Sequence, residues 1–261
     1  MFKFFLGAIT TFLIFAVASL GFETPAQSRV VKPETPVKPV NQNVLPVHKH
    51  TKDCEKTDAE PVQIICILDR SGSMSSLAED TIGGYNTFLQ KQKETPGKVE
   101  VTTVLFDDQY EKIADKVDLN EIPELTSEEY YARGTTALLD AIGRTLTDVA
   151  GKMEKEKICP EKRRVLVLIM TDGLENASQE YNKATVKAMI EQTTENYKWN
   201  YIFMGANIDS VSEAESMGIS GRHAMNYSAD KKGVRRTFDK MDEAAAAVRE
   251  SGAVSEDWGD N

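Results

Sequence analysis

The sequence predicts an α/β protein with a doubly wound, mostly parallel central sheet, one antiparallel edge strand and helices on both faces. Two observations indicate this fold. The runs at residues 62–68 and 165–170 are almost continuously apolar, which is typical of central parallel strands covered on both faces. Helical patterns alternate with strand patterns along the chain, and this alternation is the order of elements in a doubly wound sheet.

The elements are predicted in chain order from their apolar patterns. Five strands are predicted at residues 62–68, 98–106, 110–117, 165–170 and 199–204. Four helices are predicted at residues 75–93, 137–154, 182–197 and 230–250. Asp107-Asp108-Gln109 is interpreted as the turn that makes 110–117 an antiparallel hairpin partner, in preference to an acidic rim. Asn207 and Asp209 are interpreted as loop or helix-cap residues.

The first 22 residues have the composition of an export segment. Lys3 precedes an uncharged, mostly apolar run at 4–22, and Ala16-Val17-Ala18 fits a signal-peptidase site. The run is also long enough to span a bilayer, so a cleaved signal peptide and an uncleaved N-terminal membrane anchor both stay open. Either interpretation predicts that the rest of the chain is extracytoplasmic: secreted or periplasmic, or anchored to the membrane.

The remaining chain divides by composition. Residues 23–60 have no aromatic residue and carry five of the nine prolines, which predicts a disordered, polyproline-like linker without a core. Residues 61–250 are the predicted folded domain. Residues 251–261 are predicted to be an acidic, frayed C-terminal tail. The formal net charge of −10 argues against binding to nucleic acid, which requires a basic surface.

Short oxygen-bearing side chains follow the predicted central strands. Asp69, Ser71 and Ser73 come directly after the first strand, and Asp172 follows the strand at 165–170. Thr136 immediately precedes the helix at 137–154. In a doubly wound sheet such loops meet at the carboxyl edge of the strands. Carboxylate and hydroxyl oxygens are hard ligands that suit Mg²⁺, Mn²⁺ or Ca²⁺.

These residues resemble a von Willebrand factor type A domain with a complete metal-ion-dependent adhesion site, most of all its bacterial and phage branch. The family's D-x-S-x-S motif, its later Thr and its Asp after the fourth strand match Asp69, Ser71, Ser73, Thr136 and Asp172, with Thr135 as the alternative threonine. The resemblance covers about residues 61–250. It implies one divalent cation, with Mg²⁺ favoured over Ca²⁺ or Mn²⁺.

The donor set and the resemblance together predict a function in binding. Only two of the five ligands are carboxylates, and the resemblance implies that the counterpart of Asp172 often acts through water. We therefore expect an under-neutralised cation with an open position that an acidic side chain of a protein partner can fill. We expect an extracytoplasmic, metal-dependent protein-binding module that is not an enzyme and has no catalytic residue. The alternatives are a partner subunit of an ATPase or chelatase-type assembly and, less favoured, a metal-dependent hydrolase. The N-terminal segment predicts a membrane contact.

The three cysteines receive different predictions. Cys66 lies within the first strand, so we expect a buried free thiol. Cys54 and Cys159 precede two strands that are adjacent and parallel in the resembled fold, and an oxidising compartment would favour a disulfide between them.

Overall fold

The computed structural model describes Leu45, residues 61–159 and residues 162–260. These residues form a six-stranded sheet with helices on both faces. The strands are β1 (Val62–Asp69), β2 (Val99–Phe106), β3 (Tyr110–Asp118), β4 (Val165–Thr171), β5 (Asn200–Gly205) and β6 (Ala224–Asn226). The helices are α1 (Ala78–Glu94), α2 (Leu138–Lys155), α3 (Lys183–Tyr197), α4 (Ser210–Ser216) and α5 (Lys231–Ser251).

The strand order β3-β2-β1-β4-β5-β6 confirms the predicted doubly wound sheet. All neighbouring strands are parallel except β2 and β3, which form the predicted antiparallel hairpin. The chain adds strands to one side of β1 and then crosses to β4 on its other side. The carboxyl ends of β1 and β4 are therefore neighbours at the point where a doubly wound sheet usually binds its ligand.

The side chains of β1 alternate between two cores. Ile64, Cys66 and Leu68 pack into the core that contains the apolar residues of α1 and α5. Ile65 and Ile67 pack into the core of α2 and α3 on the opposite face. This alternation accounts for the continuous apolar run of β1. Cys66 is a buried free thiol, as predicted, and its burial raises the pKa of the thiol.

Three features differ from the sequence prediction. Helix α1 begins at Ala78, because Gly72–Leu77 forms a 3₁₀ helix instead of the first α-helical turns. Helix α4 and strand β6 were not predicted. The C-terminal segment is not frayed over the described residues 251–260, because Val254 and Trp258 are buried and the Trp258 indole donates a 3.0 Å hydrogen bond to the Lys240 carbonyl oxygen.

One residue of the predicted linker lies in the core of the domain. Leu45 is buried in the core of α2 and α3, with 2% of its surface exposed. The predicted export segment at 1–22 and the rest of the predicted linker lie outside the described residues. Within the described part of the chain, no helix combines the length and the apolarity that crossing a bilayer requires.

Candidate metal centre

The turn after β1 brings three of the predicted ligands together. The Asp69 carboxylate accepts a 2.6 Å hydrogen bond from the Ser71 backbone N–H through its Oδ1 atom. The Oγ atoms of Ser71 and Ser73 lie 3.1 Å apart. A carboxylate that accepts from a backbone N–H two residues later forms an Asx turn, which fixes the direction of the loop. The loop thus presents Asp69, Ser71 and Ser73 in one cluster.

The loop after β4 joins this cluster. The Ser73 hydroxyl donates a 2.5 Å hydrogen bond to Oδ1 of Asp172. The hydroxyl of Thr171, the last residue of β4, donates a 2.6 Å bond to Oδ2 of Asp69. Two loops that are about 100 positions apart in sequence are therefore in direct contact at the carboxyl edge of the sheet.

Thr136 approaches the cluster from the segment before α2. Its backbone N–H donates a 2.9 Å hydrogen bond to the Asn176 side chain, which ties it to the loop after β4. A Cβ atom placed on Gly173 would lie 3.8 Å from Oγ1 of Thr136 and 3.9 Å from Oγ of Ser73, so both hydroxyls border one small space. Thr136 is buried and Thr135 is exposed, which favours Thr136 among the two threonines.

The two carboxylates lie in a region that disfavours negative charge. Burial raises the pKa of Asp69 to about 6, despite hydrogen bonds from Thr171 and Ser71 that lower the pKa, and the charge of Asp172 raises it further. Burial also raises the pKa of Asp172, against a lowering by the Ser73 hydrogen bond. None of the five candidate ligand residues carries a positive charge that would stabilise the ionised forms of these two carboxylates.

The donor set fits a hard divalent cation. It contains two carboxylates and three hydroxyls, so that every donor atom is an oxygen, and two of the hydroxyls lie beside Gly173. Within the described ranges no cluster of three or more His, Cys, Asp or Glu side chains is arranged to hold a metal. A cation at this edge would depend on hydroxyl ligands as much as on carboxylates.

A buried ion-pair network beneath the loop was missed by the sequence analysis. Arg70, between Asp69 and Ser71, is fully buried, and its Nε donates a 3.1 Å hydrogen bond to Oδ2 of Asp107. Arg133 Nε donates a 2.6 Å bond to the same oxygen. The turn prediction for Asp107 is confirmed, because its backbone pairs with Gln109. The sequence shows Arg70 inside the Asp-Arg-Ser motif, but its burial depends on pairing with Asp107, which is 37 positions away in sequence and leaves no local pattern.

Further hydrogen bonds join the turn after β1 to the segment at 130–136. Gly72 N–H donates to the Gly134 carbonyl at 3.2 Å, and Arg133 N–H donates to the Arg70 carbonyl at 2.9 Å. The Tyr130 hydroxyl donates to the Asp69 carbonyl oxygen. The segment at 130–136 is therefore fixed directly against the turn after β1, and this positions Thr136.

The other residues considered from the sequence have separate places. Asp209 is the N-cap of α4, where it accepts from the Ser212 N–H. Asn207 has a left-handed backbone, with φ of 58°, and its side chain donates a 3.4 Å hydrogen bond to the Asp172 carbonyl. Cys159 is buried and disulfide-bonded. Its predicted partner, Cys54, lies outside the described residues, so that pairing stays a prediction.

No protein-family model matches the sequence, and no curated protein matches it. Solved structures do resemble the fold. A von Willebrand factor type A protein from Catenulispora acidiphila is similar with a TM-score of 0.50 and 14% identity, over 71% of this chain and 42% of that chain. The ArnB paralog VWA2 from Sulfolobus acidocaldarius has a TM-score of 0.46 and 16% identity, over 70% of this chain and 46% of that chain.

A third similar structure is the manganese-loaded TRAP protein of Plasmodium vivax, with a TM-score of 0.47 and 18% identity, over 70% of this chain and 73% of that chain. This chain spans less than half the length of the Catenulispora and Sulfolobus chains. At sequence identities this low, structural similarity is evidence about the fold only. The similarity to the Catenulispora structure, at a TM-score of 0.50, shows that the described residues have the fold of a von Willebrand factor type A domain. The mostly parallel six-stranded sheet with one antiparallel strand is consistent with this fold.

Proposed function

We propose that this chain is an extracytoplasmic protein-binding module that takes one divalent cation, Mg²⁺ in the first place. The ligands would be Asp69, Ser71, Ser73, Thr136 and Asp172. One observation carries the proposal: side chains from three separate segments converge at the edge between β1 and β4, and hydrogen bonds link four of the five.

Each ligand residue has a defined role in the proposed site. Asp69 and Asp172 supply the negative charge, and the Thr171 hydroxyl holds Asp69 in place. Ser71, Ser73 and Thr136 add neutral oxygens. A bound divalent cation would supply a Lewis-acidic position that accepts an acidic side chain. If Asp172 acts through water, only Asp69 binds the cation directly with a negative charge, and a carboxylate of a partner protein is the hard oxygen ligand that suits the open position.

We propose binding without catalysis. The hydroxyls of Ser71 and Ser73 are engaged with each other and with Asp172, and no histidine is among the ligand residues to act as a base. The motifs of a P-loop and of a G-x-S-x-G nucleophile are absent from the sequence.

The test is capture of partner proteins from the extracytoplasmic fraction by the immobilised chain. Ser73→Ala removes a proposed ligand, and Ser75→Ala is the matched control because Ser75 is an exposed serine of the neighbouring 3₁₀ helix. We expect capture by the wild type and Ser75→Ala in Mg²⁺, and its loss with chelator or Ser73→Ala. Equal capture with and without chelator, and by the wild type and both variants, would contradict the proposal. A captured AAA-type ATPase would favour the alternative function.

The proposed location has its own test. Fractionation of cells that express the full chain should recover it outside the cytoplasm. The intact mass then distinguishes a cleaved signal peptide from a retained anchor. Recovery of the unprocessed chain in the cytoplasm would contradict this part of the proposal.

A further inference from the structure

Leu45 is held by one side chain of α3 through both of its backbone groups. The Leu45 N–H donates a 3.2 Å hydrogen bond to Oε1 of Gln192, and Nε2 of Gln192 donates a 3.2 Å bond to the Leu45 carbonyl. The leucine side chain is buried in the core of α2 and α3. The Gln192 amide thus makes both backbone hydrogen bonds of Leu45, as a neighbouring strand would, and the Leu45 side chain is buried in the core.

The local sequence suits this contact. Pro46 disfavours a helical backbone at the residue before it, so Leu45 is kept from using its N–H and C=O in a helix. A glutamine amide offers one donor and one acceptor from a single group, and this pair matches the N–H and C=O of one peptide residue. The surrounding linker is rich in proline and valine, and Leu45 is the single leucine of residues 23–60.

We propose that the surface of α3 around Gln192 is a docking site for an extended, leucine-bearing peptide segment, and that the linker of this chain occupies it in cis through Leu45. The core provides a pocket for the leucine, and Gln192 binds the backbone. Such a site selects an aliphatic side chain of suitable size and a residue whose N–H and C=O are both available.

The docking site is separate from the candidate metal centre. Helix α3 follows β4 and so begins near the carboxyl edge of the sheet. Gln192 lies nine residues after the first residue of α3, a distance of about 14 Å along the helix at 1.5 Å per residue. Leu45 therefore contacts α3 away from the edge that carries Asp69 and Asp172.

Covalent linkage makes even a weak contact effective. Only 15 residues separate Leu45 from the first described residue of the domain, Pro61. A connection of this length corresponds to an effective concentration in the millimolar range. A contact with a dissociation constant of about 100 μM in trans would then be occupied about ten to one in cis. An emptied site should accept the same peptide from solution.

The first experiment measures binding of a fluorescent synthetic peptide with the sequence of residues 40–50 to the full chain. Leu45→Asp should expel the linker and free the site. We expect this variant to bind the peptide at least tenfold more tightly than the wild type, whose site is already occupied. A peptide with alanine in place of the leucine should lose this binding. Equal binding to the wild type and to the folded variant, or no binding to either, would overturn the proposal.

The second experiment does not need the Leu45 variant. Hydrogen exchange at the Leu45 amide is compared in Gln192→Ala and in Glu191→Ala, a half-exposed neighbour on the same helix whose side chain pairs with Lys187. We expect at least tenfold faster exchange in Gln192→Ala and unchanged exchange in Glu191→Ala. Unprotected exchange of the Leu45 amide in the wild type, or equal exchange in both variants, would overturn the docking site irrespective of any metal binding.

Discussion

The carboxylate of Asp107 is fully buried and pairs with two guanidinium groups. One of its oxygens accepts from both Arg70 and Arg133, and the other accepts from the Gln109 N–H at 2.6 Å. Arg70 also donates to the Glu129 carbonyl and the Glu111 carboxylate. Removing one partner of a buried ion pair is costly because it leaves the other charge unpaired. Asp107 is therefore a positioning residue for the turn after β1 and for the segment that carries Thr136.

Asp107→Asn keeps the shape of the side chain and removes its charge. We expect a loss of up to about 3–5 kcal/mol in the free energy of unfolding, because the buried Arg70 guanidinium loses its buried counter-charge and keeps only the half-exposed Glu111 carboxylate. Urea denaturation measures this change. Asp108→Asn, at the exposed neighbouring position, should stay within about 0.5 kcal/mol of the wild type. Equal stabilities of the two variants would show that the network does not hold the loop.

Thr136→Ala tests the assignment of the third ligand segment. If Thr136 contributes a ligand oxygen, the affinity for Mg²⁺ or Mn²⁺ should fall by at least about tenfold, since even outer-shell partners of metals commonly contribute that much. Thr135→Ala is the matched control, because Thr135 is the exposed neighbour. Isothermal titration calorimetry gives both affinities, with Asp69→Ala as the expected non-binder. Reversed effects of the two threonine variants would make Thr135 the ligand.

The five candidate ligands could be predicted because their chemistry is visible at strand ends. Hydroxyls and carboxylates directly after apolar strands are seldom coincidental when three loops share the pattern, because those loops meet at one edge of the sheet. The buried pair of Arg70 and Asp107 could not be predicted in this way. Its formation depends on the hairpin turn and the 130–136 segment closing over the loop, and these contacts between distant parts of the chain leave no local pattern.

At the scale of elements, long apolar patterns predicted the strands and helices correctly, whereas the two short elements, α4 and β6, were not predicted. Strand β6 has three residues and, among the described strands, pairs only with β5, and α4 has seven residues. Elements this short gain their stability mainly from tertiary contacts, so their sequences carry little periodicity. The cap at Asp209 could nevertheless be predicted, because an N-cap depends on a local hydrogen bond.

Two adjacent glycines of α1 provide a test of how it packs on α5. A Cβ atom on Gly84 would lie 2.2 Å from the Phe238 ring of α5, whereas a Cβ atom on Gly83 would meet nothing within 4 Å. We expect Gly84→Ala to lower the free energy of unfolding by about 1–3 kcal/mol through overpacking. Gly83→Ala should raise it by about 0.5–1 kcal/mol through helix propensity. Thermal and urea unfolding measure the stabilities of the two variants. Stabilisation by both substitutions would mean that α1 and α5 pack less closely than the structure shows.

For the molecule as a whole, the C-terminal segment closes one face of the domain. Trp258 is buried against α5, and its ring lies 5.9 Å from the Lys240 ammonium. Trp258→Ala should lower the free energy of unfolding by about 3–5 kcal/mol, the usual loss for a large buried aromatic. Asp257→Ala, at the exposed neighbouring residue, should have little effect. A negligible loss for Trp258→Ala would mean that the C-terminal segment is frayed after all.

The last prediction concerns a covalent connection between linker and domain. Cys159 is buried and disulfide-bonded, and Cys66 is a free thiol. Cys159 precedes β4, so it lies towards the edge of the sheet opposite the candidate metal centre. We expect its partner to be Cys54, as the sequence predicts. The closed loop would exceed about 100 residues, for which chain entropy gives a stabilisation of about 4–5 kcal/mol before any native-state strain is subtracted.

Peptide mapping of the exported protein without reductant checks the pairing. We expect one cross-linked peptide pair that contains Cys54 and Cys159, together with an unmodified Cys66 that alkylates only after unfolding. Cys54→Ser should lower the midpoint of urea denaturation, and dithiothreitol should lower the wild type to the same midpoint while leaving Cys54→Ser unchanged. Alkylation of both Cys54 and Cys159 without reductant would show that the bridge does not form.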